Sequence, residues 1–216
     1  MRATRVMHWM RRALAAAAAL SCAACGLGGQ GFVDGQRLLP AQPGVDQAQA
    51  ERLIEGGAPR LQIVLVEREI ATLMVKAGER DGIARWRTID NTQIFTRDGF
   101  IIGTRGLSFD MMSADPGAAP AAIRAGRAAQ VSRLYTYLDG EERTIFRAYV
   151  CDISPVGPER VEIPDAPALP SLLVREECFS PAGGFTNMYW IHEGRVVRTL
   201  QFIGDRVGRA LILFLP

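Results

Sequence analysis

From Arg60 onward the chain consists of short runs rich in β-branched and aromatic residues, separated by Gly, Asp and Pro at nearly regular spacing. No other feature constrains the fold as strongly, because such punctuation marks antiparallel strands joined by tight turns. The runs are Leu61–Val66, Ile70–Val75, Ala84–Ile89, Gln93–Phe95, Phe100–Thr104, Val131–Tyr137, Thr144–Cys151, Leu172–Glu177, Thr186–Ile191, Val196–Phe202 and Ala210–Leu215. Hairpin turns fall at Ala77–Gly82, Arg97–Gly99, Leu138–Glu142, His192–Gly194 and Gly204–Gly208. Strand follows strand without an intervening helical period. The predicted class is therefore all-β, a mainly antiparallel meander folded into an open barrel or two packed sheets. Two stretches break the series. Residues Asp115–Arg127 read as a loop with at most one helical turn, and Ile153–Pro170, with prolines at 155, 158, 164, 167 and 170, reads as another loop.

The first residues obey different rules. MRATRVMHWMRR carries four arginines and no acid, and ALAAAAALSCAAC follows as a run of small apolar residues ending at cysteine. This is the anatomy of an export signal. The apolar run falls well short of the roughly 20 residues that span a bilayer, so it predicts a cleaved signal at residues 1–24 rather than a membrane helix. Small residues immediately before a cysteine suit the narrow cleft of lipoprotein signal peptidase. Ala23, Ala24 and Gly26 around Cys25 make it the expected lipid-bearing residue, although Cys22 occupies the position where leucine is commonest and is itself the competing acceptor. An ordinary secretory cut with two incidental cysteines is the plainer alternative. Each buried methylene of an attached acyl chain contributes about 0.8 kcal/mol, so two or three chains hold a protein on a membrane permanently.

Residues 25–45 then form the lipidated cysteine and a Gly- and Pro-rich tether, and residues 46–216 form one β-rich periplasmic domain that opens with a short helix at Asp46–Ile54. Gly26, Gly28 and Gly31 match a GxGxxG spacing, but no strand precedes them and no βαβ unit follows, so the dinucleotide reading fails. Removal of the signal takes four of the 25 basic residues and none of the 23 acidic ones, leaving 21 against 23. That balance excludes the concentrated basic face that nucleic acid requires.

Cys151 and Cys178 are the cysteines left beyond the signal. In an oxidising compartment a lone pair favours a disulfide, although Cys151 ends an apolar run and would also fit as a buried thiol. The domain contains a single histidine, His192, beside a turn. A Ser-His or Cys-His device would have to use it, and one histidine with two cysteines makes a zinc site only if carboxylates supply the other ligands. No cofactor is expected. Asp98, Asp110 and Glu193 are the carboxylates that a glycoside hydrolase or lyase would draw on. Each has a simpler role, as Asp98-Gly99 and Glu193-Gly194 are turn pairs and Asp110 can accept from amides at the Gly106 bend. Trp86, Arg87, Arg105, Tyr189, Trp190, Arg195 and Arg198 supply aromatic faces and guanidinium forks, a mixture suited to sugars or to a protein partner. The same residues could equally be core tryptophans and a solvated arginine face.

Three features together resemble the YjbF/GfcB lipoproteins associated with exopolysaccharide and group 4 capsule production. They are the lipobox with its glycine-rich tether, the stretch WRTIDNTQIFTRDGFIIGTRGLSFDMM with Asp98-Gly99, Gly103-Thr104, Gly106-Leu107 and Asp110, and the C-terminal NMYWIHEGRVVRTLQFIGDRVGRALILFL with Asn187, Tyr189-Trp190, Gly194, Gln201 and Gly204. The resemblance implies an outer-membrane lipoprotein facing the periplasm, acting without catalysis beside an outer-membrane β-barrel export protein, with an acidic polysaccharide as a further partner. It carries over no catalytic residues. Trp86, Arg105, Asp110, Tyr189, Trp190 and Arg198 are the expected contacts to glycan or partner. The alternative is a periplasmic glycan-modifying enzyme on the same β scaffold.

Overall fold

Three dipeptides make two-residue turns with both residues at positive φ. Asp81-Gly82, Asp98-Gly99 and Glu193-Gly194 each have two residues at positive φ, at 53° and 73°, 52° and 88°, and 49° and 75°. This is the conformation whose twist matches that of the flanking strands. The computed structural model describes residues 55–215. The expected lipid acceptor Cys25, its competitor Cys22, the tether and the helix at 46–54 lie outside them.

Twelve strands follow in sequence: β1 (Arg60–Leu65), β2 (Ile70–Arg80), β3 (Ile83–Arg87), β4 (Gln93–Arg97), β5 (Phe100–Arg105), β6 (Met111–Asp115), β7 (Ala129–Leu138), β8 (Thr144–Ile163), β9 (Ala166–Ser180), β10 (Gly183–His192), β11 (Arg195–Gly204) and β12 (Gly208–Leu215). One short helix, α1 (Ala119–Arg124), lies between β6 and β7. The strand order is β5-β4-β3-β2-β1-β12-β11-β10-β9-β8-β7-β6. Sequence neighbours thus pair throughout except β5 and β6, and β1 pairs antiparallel with β12, Leu61 opposite Phe214 and Ile63 opposite Ile212. The meander is a nearly closed barrel whose one seam falls between β5 and β6. Closure removes the exposed edges that an open sheet would present.

The structure corrects the sequence reading at two places. β6 was absent from the expected strands because MMSAD has no β-branched residue to mark it. Ile153–Pro170 is no loop. It is the outer half of a long β8–β9 hairpin turning at Pro164-Asp165, with Pro155 opposite Val174, Pro158 opposite Leu172 and Arg160 opposite Pro170. The prolines are accommodated because β7 pairs with β8 only as far as Ile153, and β10 pairs with β9 only from Leu172. Beyond those points the hairpin is a two-stranded ribbon with free outer edges, where a missing N–H breaks no ladder. Register shifts at Pro155/Gly157 and Val161/Ile163 bend it. Val161 and Ile163 then pack with Trp190, Leu173 and Leu213 on the outer face of the barrel.

The lumen is filled. Alternate residues from β1, β3, β4, β5, β7, β8 and β12, including Leu61, Ile63, Trp86, Ile94, Ile101, Tyr135, Tyr149 and Ile212, form the main apolar cluster. At one end Ala119, Ala122 and Ile123 of α1 pack against Phe100, Val174, Tyr189 and Val196 and stopper the barrel. Because strands alternate in direction, the β1–β2, β3–β4, β5–β6, β7–β8, β9–β10 and β11–β12 connections all lie at the other end. No helix among the described residues is long and apolar enough to cross a membrane.

Candidate functional site

Among the described residues the fully buried charges meet at one point. Arg133 lies on the inward phase of β7 and Glu176 on that of β9, and Arg133 Nη1 donates to Glu176 Oε2 at 2.7 Å. The same carboxylate oxygen accepts from Asn187 Nδ2 at 2.7 Å and from the Tyr189 hydroxyl at 2.9 Å. Asn187 Oδ1 in turn accepts from the Phe202 amide at 2.8 Å, tying the network to β11. Burial pushes the Tyr189 phenol well above its ordinary value, and the Glu176 carboxylate pushes it the same way. Arg133 Nε and Glu176 Oε1 have no partner among the described residues. The centre is sealed from solvent, so it organises the core rather than meeting a substrate.

The disulfide Cys151–Cys178 crosses from β8 to β9 between residues directly opposite in register. The two sulfurs and a Glu176 oxygen lie within 4.8 Å of one another. Cation binding would need thiolates, and here the sulfurs are bonded to each other. The pairing expected from the sequence is thus present, and it closes the barrel wall beside the charge pair.

The expected contact residues do not converge. Trp86 points into the lumen, where its Nε1 donates to Thr96 Oγ1 at 2.8 Å and its ring meets Phe214 edge-on. Tyr189 belongs to the sealed centre. Trp190, next to it on β10, faces outward and is covered by the ribbon, donating from Nε1 to Glu159 Oε2 at 2.5 Å. Arg198 stacks over the Trp190 ring at 4.6 Å, which brings two of the expected contacts together. Burial lowers the pKa of Arg198, and Glu159 opposes that shift. Arg87, Arg105 and Arg195 are exposed on different strands.

Asp110 has a different job. Its Oδ1 accepts from Thr104 Oγ1 and the Leu107 amide, and its Oδ2 accepts from the Gly106 amide at 2.8 Å. Thr104 Oγ1 accepts from the Met111 amide at 2.9 Å, so this pair fastens β5 to β6 across the seam. Asp98 lies in its turn and accepts from Arg124 Nη1 at 2.8 Å.

The open end carries what sequence reasoning missed. Two cavities enter the lumen there, on either side of the β5–β6 connection. The smaller, about 400 Å³, is mainly aliphatic, with Leu65, Ile70, Ile89 and Leu107 in its wall. The larger, about 590 Å³, lies between β7–β8 and β11–β12 and is mixed, with Phe109, Tyr137, Tyr149 and Phe202 beside Arg147, Asp205 and Arg206. Burial raises the Tyr137 and Tyr149 phenols, Asp205 adds to both shifts and Arg147 opposes them, which places these four groups in one electrostatic neighbourhood. The signal was present in the alternation, since Ile145, Arg147 and Tyr149 share the inward phase of β8.

The family model described as group 4 capsule polysaccharide lipoprotein gfcB, YjbF, matches residues 44–215. The chain belongs to this family. The YjbF match runs through the whole described barrel. Among solved structures, the hypothetical lipoprotein YmcC from Escherichia coli K12 is 17% identical, with a TM-score of 0.66 over 82% of this chain and 98% of that one. YmcC thus shares the fold. A putative exported protein with a YmcC-like fold from Bacteroides fragilis NCTC 9343 is 11% identical over 72% of this chain and 92% of its own, with a TM-score of 0.28. No individually curated protein matches the chain by sequence.

Proposed function

We propose that this YjbF-family chain is a lipid-anchored, non-catalytic accessory in the assembly or export of a capsule-type polysaccharide. In this reading Cys25 carries the lipid, the domain faces the periplasm from the outer membrane, and an outer-membrane β-barrel export protein is its partner. The observation that carries the reading is the family match across residues 44–215. The site geometry agrees with it. Asp110, which a hydrolase or lyase would draw on, spends both carboxylate oxygens on Thr104 and two backbone amides. Asp98 and Glu193 sit at positive φ in two-residue turns.

The test is affinity recovery of the full-length protein from solubilised outer membranes, wild type against Cys25→Ala. Recovery of a large β-barrel protein by wild type alone is the expected result. Failure to recover one, together with shortening of polysaccharide by the purified protein, favours the enzymatic alternative.

A further inference from the structure

The larger cavity at the open end has held walls and a charged rim. Phe202 stacks on Phe185 with ring centres 4.4 Å apart and planes 12° from parallel, and Tyr149 packs against the same Phe185 at 4.8 Å. Tyr137 is fixed by its hydroxyl, which donates to the Ile203 carbonyl at 2.7 Å. Its ring passes so close to Gly204 that a Cβ there would lie 3.1 Å away. At the mouth, Phe109 is 44% exposed and Arg206 lies over its face at 4.3 Å.

The polar groups divide into two sets. Asp139 accepts from the Glu141 and Arg143 amides and from Arg143 Nε, and Asp110 is occupied at the seam, so neither is available. Asp205, Glu142, Arg147 and Arg206 remain on the rim, two acids and two bases. An apolar peptide side chain seated here would strip water from four charges without replacing it. A sugar ring would not, because its C–H face lies on aromatic carbon while its hydroxyls donate to carboxylates and accept from guanidinium groups. An acid-bearing sugar would gain Arg147 but meet Asp205 and Glu142. The volume, about 590 Å³, falls in the range of roughly 300–1,000 Å³ usual for small-molecule sites.

Resting on the capsule-accessory reading, the geometry points to this cavity as a subsite for one or two residues of a neutral pyranose chain, with Phe109 and Arg147 as its outer contacts. The lumen is packed beneath it, so the subsite takes a chain end or a surface loop of the polymer and does not thread the chain through the barrel.

Saturation-transfer NMR on the full-length protein, in a detergent without a sugar headgroup, tests this with cellobiose, lactose, maltose, N,N′-diacetylchitobiose and digalacturonate as probes. At least one neutral disaccharide is expected to give a signal that falls about fivefold or more in Phe109→Ala and in Arg147→Ala. Both residues lie at the exposed mouth, so the fold tolerates their loss. Phe179→Ala, at an exposed aromatic on β9 that does not line the cavity, should leave the signal unchanged. No signal from any neutral probe, equal signals in all variants, or preference for digalacturonate overturns the inference. The accessory reading is judged separately. If gene deletion abolishes surface polymer while the sugar signals are absent, the subsite falls and the accessory role stands. If deletion leaves the polymer unchanged, the accessory role falls whatever the sugar signals show.

Discussion

Arg133 on β7 and Glu176 on β9 meet on the lumen side of β8 at 2.7 Å, with side chains 1% and 0% exposed. Two charges in such a place are costly to desolvate, and their mutual attraction offsets that cost only while both are present and hydrogen-bonded. Asn187 and Tyr189 complete the carboxylate's shell on Oε2.

Removing one partner leaves the other charge stranded. Glu176→Gln is expected to lower unfolding free energy in urea by about 3–5 kcal/mol, and Arg133→Met by a similar amount. The double variant Arg133→Met/Glu176→Gln should lose less than the sum of the two. Additive losses would show that the pair does not act as a unit.

The disulfide links residues 27 apart in sequence. Closing a loop of that size restricts the unfolded chain by about 3 kcal/mol in the chain-entropy model. Cys151→Ser/Cys178→Ser should therefore lower the melting temperature by roughly 6–12 °C for a domain of this size. An unchanged melting temperature would mean that the register of β8 and β9 is held without the bond.

Alkaline stability follows from the buried phenols. Burial pushes Tyr135 up to about 12. It raises Tyr137, Tyr149 and Tyr189 as well. In the unfolded chain all four titrate near 10. Groups whose folded pKa is raised contribute stability that is full below the unfolded value and lost as pH climbs toward the folded one. Each such group costs about 1.4 kcal/mol per pH unit in that window. Urea midpoints should be flat up to about pH 10 and then fall steeply, and Tyr189→Phe should reduce the slope by about one quarter. A single lysine, Lys76, keeps amine titration from obscuring the effect. A flat midpoint beyond pH 11 would contradict the assignment.

Asp110 separates structure from chemistry. Asp110→Ala removes the acceptor for two amides and the Thr104 hydroxyl, and is expected to cost about 2–3 kcal/mol and to speed amide exchange along β5 and β6. Full stability with lost polymer output would instead give Asp110 a role in chemistry.

Much of the barrel was legible in the chain, for reasons particular residues make plain. Asp81-Gly82, Asp98-Gly99 and Glu193-Gly194 announce their turns, and the β-branched runs between them announce strands. The prolines of β8 and β9 misled because their compatibility with pairing depends on having no neighbour on the outer side, a property of the assembled sheet. β1–β12 closure and the Asp110 clasp join residues whose adjacency no local pattern encodes. Arg133 and Glu176 did carry a trace, as charges on the inward phase of runs that are otherwise apolar at alternate positions. Tyr189 and Trp190 are consecutive, so the strand sends them to opposite faces, and no site could use both.

The most direct test of the account is polymer output in cells lacking the gene, restored with wild type or Cys25→Ala, with the retained and released polysaccharide compared for amount, chain length and linkage. The account predicts that deletion lowers surface polymer, that wild type restores it and Cys25→Ala does not, and that linkage and chain length of the residual polymer stay the same. Unchanged surface polymer on deletion, or residual polymer with altered chain length or linkage, would contradict a lipid-anchored, non-catalytic role.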